Sequence, residues 1–310
     1  MTTSSSSTDQ ARCVALTGGT GALGRHVLRE FVRRGTKVRA LRRPSCTLAE
    51  QFDPELVSWV DGDLEDPTAL DTLVDGVDSI VHLAYSPLDA VPTGGRSTGE
   101  HFAASNFVGT VRLIERTAAT RNRQLIFAST LAVHGKLPFT HAIDEDTATW
   151  PQEFYGAHKA ALEKLVHAAS FTWGLNTSIW RLGWVVCDYD SIERDPLVQP
   201  LREARDHGAI LGQHAAYLIA ADDAARILCD AVGDESTKGG RYHLFDRWFD
   251  WNELAEPLSE LLGHPIEPKA APAPDPNPGI TRDRLSPRGA RFATIEAIRA
   301  RLAALVDLGA

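Results

Sequence analysis

Six short apolar runs punctuate the first 186 positions of the chain, at residues 12–17, 37–41, 56–60, 78–84, 124–129 and 177–182. Each is close to continuous in apolar residues instead of alternating apolar with polar. Such runs mark strands buried on both faces. Between them, residues 23–34, 67–74, 103–120 and 154–171 carry helix-compatible patterns, and Gly35 supplies a stop signal for the first. Strands alternating with helices predict an α/β fold: a Rossmann-type doubly wound parallel sheet.

After Val186 the rhythm changes. Helices are expected over 196–207 and 222–232, a last strand over 241–245, and a terminal amphipathic helix over 293–306. Residues 265–278 are rich in proline and alanine and read as an extended connection. The organisation expected is a frayed polar tail (1–11) and a dinucleotide-binding domain (12–186, with part of 220–246 contributing). A small, mainly substrate-binding C-terminal lobe (187–310) would follow. No internal repeat is visible.

Composition narrows the class without naming the chemistry. The 310 residues are 43% hydrophobic and 24% charged, ordinary for a globular protein. No apolar run is long enough to span a bilayer, and the Ser/Thr-rich start lacks the basic and apolar regions of a signal peptide. A net charge of −9 argues against a general nucleic-acid binder. Cys13, Cys46, Cys187 and Cys229 have neither metal-knuckle nor redox-pair spacing, so reduced thiols in a cytoplasmic protein, with no metal site, are expected.

The first strand runs into Thr17-Gly18-Gly19-Thr20-Gly21-Ala22-Leu23-Gly24. Gly18 would allow the tight turn, Gly21 close approach of a pyrophosphate, and Gly24 tight packing of helix on strand. The N-terminus of the helix would offer N–H groups and a positive dipole end to the phosphates. The second strand ends in Leu41-Arg42-Arg43-Pro44, with no acid to bind ribose hydroxyls. Arg42 and Arg43 can instead bond a 2′-phosphate, which favours NADP over NAD. Asp63 could bond the adenine amino group or serve as a turn aspartate.

Tyr155 and Lys159 lie four residues apart, which stacks them on one helix face. A tyrosine pKa near ~10 makes a poor base at neutral pH; a drop of about three units needs roughly 4 kcal/mol. A nearby ammonium and a cationic nicotinamide both act in that direction. Ser129 and Thr130 end the fifth strand, at the edge where such sheets bind ligands, and can hold a reacting oxygen near Tyr155.

With these pieces in order, the chain resembles the extended short-chain dehydrogenase/reductase family, in its epimerase/dehydratase branch. The matching stretches are Thr17 to Gly24, Gly62 to Leu64, His82 to Ala84, Asn106 to Thr110, Ser129 to Gly135, Tyr155 to Lys159 and Ala221 to Ala225. The resemblance implies Thr130, Tyr155 and Lys159 as the catalytic set, Lys159 also holding the nicotinamide ribose. It implies cofactor contacts from Gly18, Thr20, Gly21, Ala22, Leu23, Gly24, Arg42, Arg43, Asp63, Leu64, Leu83, Ala84, Ser129, Tyr155 and Lys159. It places Asn106 in a helix-supporting position and implies a homodimer through the helices carrying Asn106 and Tyr155.

Three departures matter. His134 stands where the family has tyrosine, in a position lining the substrate side. Leu182 replaces a common proline after Arg181. Leu131 and Ala132 stand where sugar-nucleotide dehydratases carry an acidic pair, which lowers the dehydratase reading. The leading expectation is NADPH-dependent reduction of a ketone or aldehyde, or the reverse oxidation, on a small-molecule substrate. Alternatives are a nucleotide-sugar epimerase, a sugar or uronate dehydrogenase, and an NADP-sensing regulator without turnover. Trp184, Tyr189, His214, Tyr217, Arg241, Trp248 and Trp251 are candidates for the substrate wall, and equally for core or surface.

Overall fold

Strand burial sets the architecture. In the computed structural model, β1 (Cys13–Thr17), β2 (Lys37–Arg42), β3 (Val57–Asp61), β4 (Ser79–His82), β5 (Gln124–Thr130) and β6 (Asn176–Leu182) match the six runs. The second half adds β7 (Trp184–Val186), β8 (Ala209–Ile210), β9 (Ala215–Ala220), β10 (Arg241–Leu244), β11 (Arg247–Asp250) and β12 (Glu267–Pro268). The structure describes residues 13–46, 51–87, 99–120, 124–135, 141–189, 192, 195–273, 279–285 and 292–309. The expected N-terminal tail and the last residues of the 265–278 connection lie outside them.

A seven-stranded sheet runs β10-β6-β5-β4-β1-β2-β3. Every neighbouring pair in it is parallel. Val14, Leu16, Val81 and Ile126 face one apolar layer, with Val27, Leu28 and Phe31 of α1 (Ala22–Arg33). Ala15, Ile80, Leu125 and Phe127 face the other. That second layer receives Leu70 and Leu73 of α2 (Pro67–Val74), Leu113 of α4 (Gly109–Ala119), and Leu162 and Val166 of α5 (Phe154–Thr172). Burial on both faces is why these strands read as unbroken apolar runs.

The helix expected over 103–120 begins earlier, with α3 (Gly99–Phe102), and passes into α4 through a π-helical segment, Ala103–Val108. In the second half, α6 (Val198–His207), α7 (Ala221–Asp230), α8 (Ala255–Leu262) and α9 (Thr294–Asp307) are formed. α7 packs on α1, and β10 extends the large sheet beside β6. β11, β9 and β7 make a separate three-stranded sheet. A third apolar cluster, including Leu201, Phe249, Leu258 and Leu302, covers it. β12 pairs with β8 inside the Pro/Ala-rich connection, so that segment is extended but not without a partner.

One buried ion pair ties α5 to the sheet. Arg181 on β6 donates from Nη2 to Glu163 Oε2 at 2.8 Å and from Nε to both carboxylate oxygens at 3.0 and 3.1 Å. Both side chains are almost wholly enclosed. Removing one partner strands a charge in the interior, at a cost of about 3–5 kcal/mol. Glu163→Ala should therefore lower unfolding stability by about that amount in urea titration. Replacing Glu163 and Arg181 together with apolar residues should recover most of it. Equal losses in the single and double variants would refute this account.

Candidate active site

A cleft of about 730 Å³ opens at the carboxyl ends of β1, β4 and β5. This is the point where strand order reverses, the ligand crevice of open α/β sheets. Gly18 there has φ +75, and a Cβ on it would sit 2.7 Å from the backbone nitrogen of Ala84. A Cβ on Gly24 would lie 1.9 Å from the Gly18 carbonyl oxygen. The turn thus exists only without side chains, and it lays bare backbone along the cleft floor. Thr20, Gly21, Ala22 and Leu23 line it as well, and Gly21 caps α1 with no side chain. First-turn N–H groups therefore stay available, and the cradle fits a dinucleotide pyrophosphate.

The floor is pinned from below by His82. Its Nδ1 lies 2.6 Å from Thr17 Oγ1 and its Nε2 2.9 Å from Thr110 Oγ1. Burial, then the nearby Lys159, hold its pKa down to about 3, so it is a neutral bridge between β1, β4 and α4. Leu83 and Ala84 follow it into the cleft wall. Gly109 lets α4 approach the loop after β3; a Cβ there would meet Leu64 Cβ at 2.5 Å. Asp63 and Leu64 line the cleft, and Asp63 Oδ1 accepts the Glu65 N–H at 2.8 Å as a turn aspartate does.

The two arginines part company. Arg43 lines the cleft and forms no ion pair among the described residues. Arg42 does not line it. Its guanidinium pairs with Asp61 (Nη2–Oδ1 2.9 Å, Nε–Oδ1 3.0 Å) and lies 5.3 Å from the Trp59 ring centroid. Parallel register sets Arg42 directly beside Asp61. Asp61, on the neighbouring strand, thus takes Arg42 out of the cleft, a pairing that strand-by-strand reading does not see.

Tyr155, Lys159 and Thr130 converge. Tyr155 lies beside Thr130, whose Oγ1 accepts the Ala132 N–H at 3.2 Å. Gly156 lets α5 sit close: a Cβ there would be 2.5 Å from the Ala132 oxygen. Tyr85 packs edge-on against Tyr155 at 5.0 Å. Lys159 Nζ donates to the Ala128 carbonyl at 2.9 Å and lies 4.9 Å from the Phe127 ring centroid. Burial brings its pKa down to about 8, against the opposing pull of Glu163.

The expected depression of the Tyr155 pKa is not produced by the protein's own groups. Burial raises it, and the nearby Thr130 hydroxyl only partly opposes the rise. Raised by burial, Tyr155 is a protonated phenol at neutral pH.

Two further expectations are corrected. Ser129 borders the cleft, but its hydroxyl is given to Glu163 Oε1 at 2.5 Å, leaving Thr130 as the hydroxyl beside Tyr155. His134 is buried away from the cleft, 2.9 Å from His243 Nε2 and 3.3 Å from Arg181 Nη1. Burial, then Arg181, press its pKa to about 3. Asn106, expected in a helix-supporting position, sits in the π-helical segment and its side chain bonds the Ser86 backbone at 2.8 and 2.7 Å. Among the wall candidates, Trp184, Tyr189, Tyr217 and Trp248 line the cleft. Arg241 instead pairs with Asp146, and His214 packs on Trp251. Glu163 was missed, although it lies one turn beyond Lys159 on the same helix face.

A model of the NAD dependent epimerase/dehydratase family matches residues 14–209. The UDP-glucose 4-epimerase of Halalkalibacterium halodurans is 24% identical over 292 residues, covering 84% of this chain and 83% of that protein. The 2-alkyl-3-oxoalkanoate reductase of Stenotrophomonas maltophilia is 30% identical over 167 residues, which is 51% of this chain and 46% of the reductase. In fold, the chain is similar to the crystal structure of a UDP-glucose 4-epimerase from Thermotoga maritima. The TM-score is 0.78 at 18% identity, over 96% of this chain and 99% of that one.

The geometry makes the pH profile diagnostic. Burial lowers the Lys159 pKa, so its ammonium is present below about 8 and lost as pH rises through that value. Tyr155, pushed upward, keeps its proton across that range. Turnover at saturating cofactor should fall on the alkaline side of about 8. Tyr155→Phe should lose at least about 100-fold in kcat. A wild-type profile flat up to the tyrosine range would contradict this assignment.

Proposed function

The chain belongs to the NAD-dependent epimerase/dehydratase family and is an NAD(P)-dependent oxidoreductase; on that premise we propose that it reduces a ketone or aldehyde at the expense of NADPH. The observation that carries the reading is the phenol of Tyr155, set beside Thr130 and Lys159 in the lining of a dinucleotide cleft. When bound, the nicotinamide supplies the hydride. Tyr155 gives its proton to the substrate oxygen, and Thr130 holds that oxygen in place. Lys159, charged below about pH 8, steadies the phenolate that results. The reverse sequence oxidises an alcohol. A regulator that only senses the nucleotide has no use for both Tyr155 and Lys159.

The cofactor contacts proposed are the glycine-loop backbone with Thr20, Ala22 and Leu23 at the pyrophosphate, Asp63 and Leu64 at adenine, and Leu83, Ala84 and the Ser129 backbone toward the nicotinamide. NADP is favoured over NAD by Arg43, the cation of the second-strand end that lines the cleft. Residues 12–186 with part of 220–246 would hold the cofactor, and 187–310 mainly the substrate. The four free cysteines suit a reducing cytoplasm. Exposed Phe154, Leu165 and Phe171, interspersed with exposed Ala157 and Ala168, make an apolar stripe on α5 that supports a homodimer.

The second reading, epimerisation of a nucleotide sugar, draws support from the likeness to UDP-glucose 4-epimerases. There the hydride is taken and returned, so no net change in nicotinamide absorbance accompanies turnover.

Fluorescence titration should show tighter binding of NADPH than of NADH. Arg43→Ala should weaken NADPH about tenfold, the worth of a charge-assisted bond, and leave NADH unchanged. Preference for NADH in the wild type would reverse the cofactor assignment. Net oxidation of NADPH with a ketone supports the reductase; conversion of UDP-glucose at constant absorbance supports the epimerase. Sedimentation should give a dimer that Leu165→Asp dissociates, and a monomeric wild type would rule that interface out.

A further inference from the structure

The substrate half of the cleft has a chemistry of its own. Trp184, Val185, Tyr189, Tyr217 and Trp248 form one side, and Leu131, beside Thr130, forms the floor. The polar atoms of this wall are largely spent inside the protein. Trp184 Nε1 donates to Tyr189 Oη at 3.0 Å, and that hydroxyl donates to the Val185 carbonyl at 3.0 Å. Tyr217 Oη accepts the Ile280 N–H at 2.7 Å. The rings therefore turn carbon toward the cleft.

They are also held rigid. Trp184 stacks on Trp251 at 5.8 Å, and Tyr217 is wedged between Phe245 at 4.6 Å and Trp248 at 5.1 Å. Gly183 lets the Tyr217 strand approach, since a Cβ there would be 2.4 Å from the Tyr217 oxygen. Trp248 Nε1 has no partner among the described residues, so the wall keeps a single indole donor.

No charged side chain is found in this half of the cleft among the described residues; Arg43, Asp63 and Lys159 all belong to the cofactor half. A nucleoside diphosphate needs cations or a cluster of N–H donors for its phosphates, and a sugar needs polar partners for each hydroxyl. Beyond the wall's one indole donor the cleft adds the neutral hydroxyls of Ser86 and Ser105, too few for a sugar's hydroxyls and without a cation for a diphosphate. The preformed aromatic wall matches a ligand recognised by buried apolar area.

We infer that the substrate is a hydrophobic carbonyl compound, bearing an aromatic ring or alkyl chain against the Trp184–Tyr217–Trp248 wall, and not a nucleotide sugar. This rests on the oxidoreductase reading above. The reacting step is the one given there: hydride from NADPH to the carbonyl carbon and the proton of Tyr155 Oη to the oxygen, giving NADP⁺, an alcohol and a Tyr155 phenolate that takes its proton back from solvent.

The test is NADPH-dependent reduction of methyl ketones from butanone to octanone, with acetophenone, dihydroxyacetone and UDP-glucose beside them. Burial on the wall raises kcat/KM by about fourfold for each added methylene until the pocket is filled. Acetophenone should exceed dihydroxyacetone at least tenfold. Binding to the NADP⁺-loaded protein is measured in parallel by calorimetry, so the answer does not depend on turnover. Acetophenone should bind with a negative heat-capacity change, and Trp248→Ala should weaken it at least tenfold while leaving NADPH affinity intact. Trp248→Phe should retain most of the affinity, separating loss of wall from misfolding. Tighter binding of UDP-glucose than of acetophenone, or a rate independent of chain length, overturns the inference. Failure of NADPH to bind would instead strike the oxidoreductase reading, and the ligand comparison is then made on the cofactor-free protein.

Discussion

The carboxylate of Glu163 is the charge on which the centre of the molecule turns. It takes the Ser129 hydroxyl from β5 and the Arg181 guanidinium from β6, and it lies one turn beyond Lys159 on α5. Three elements thus meet on one buried anion. Enclosing such groups costs several kcal/mol per ion, repaid only where every hydrogen-bonding position is filled. Here it is nearly filled, because Arg181 also donates to the Glu145 carbonyl at 3.1 Å and approaches His134. His134 and His243 stay neutral, at about 3 and about 4, because burial and Arg181 both disfavour a further cation. The same anion opposes the depression of Lys159, so the fold's internal charge balance and the charge state of the proposed catalytic lysine are one arrangement.

Steric demands shape the other half of the cleft. Backbone approaches at Gly18, Gly24 and Gly109 leave no room for a Cβ. They bring α1, α4 and the loop after β3 into a single rigid rim. The π-helical segment Ala103–Val108 belongs to the same design. It carries Asn106, whose two bonds to Ser86 fix the loop that bears Tyr85. A rigid rim loses little entropy on binding, which is what a site that must align a hydride within tenths of an ångström requires.

Much of this was legible in the chain. The apolar runs 12–17 and 78–84 read as buried strands because each lies between two helical layers. Gly18, Gly21, Gly24, Thr130, Tyr155 and Lys159 stood out because their chemistry depends on local spacing. What stayed hidden depends on distant pairing. β9 is alanine-rich with weak strand propensity, and it is held by β7 and β11 from elsewhere in the sequence. Arg42 looked like a phosphate ligand until parallel register set Asp61 beside it. Ser129 and His134 sat at the right positions, but their side chains answer to Glu163 and His243. The availability of a polar group is a property of its neighbours across the fold, not of its place in a motif.

The protonation of Tyr155 shows how far that principle reaches. Spacing from Lys159 pointed to a lowered pKa; enclosure among Tyr85, Thr130 and α5 acts the other way and prevails. No catalyst shifts the overall equilibrium of its reaction, but the resting state of its acid decides which substrate meets a competent group first. A buried phenol is ready to give a proton to a carbonyl oxygen. To serve an alcohol it must first become a phenolate in a site where burial disfavours the anion, and only nearby positive charge can offset that cost. In the proposed reaction, enclosure therefore favours the reductive direction through the proton that it keeps on Tyr155.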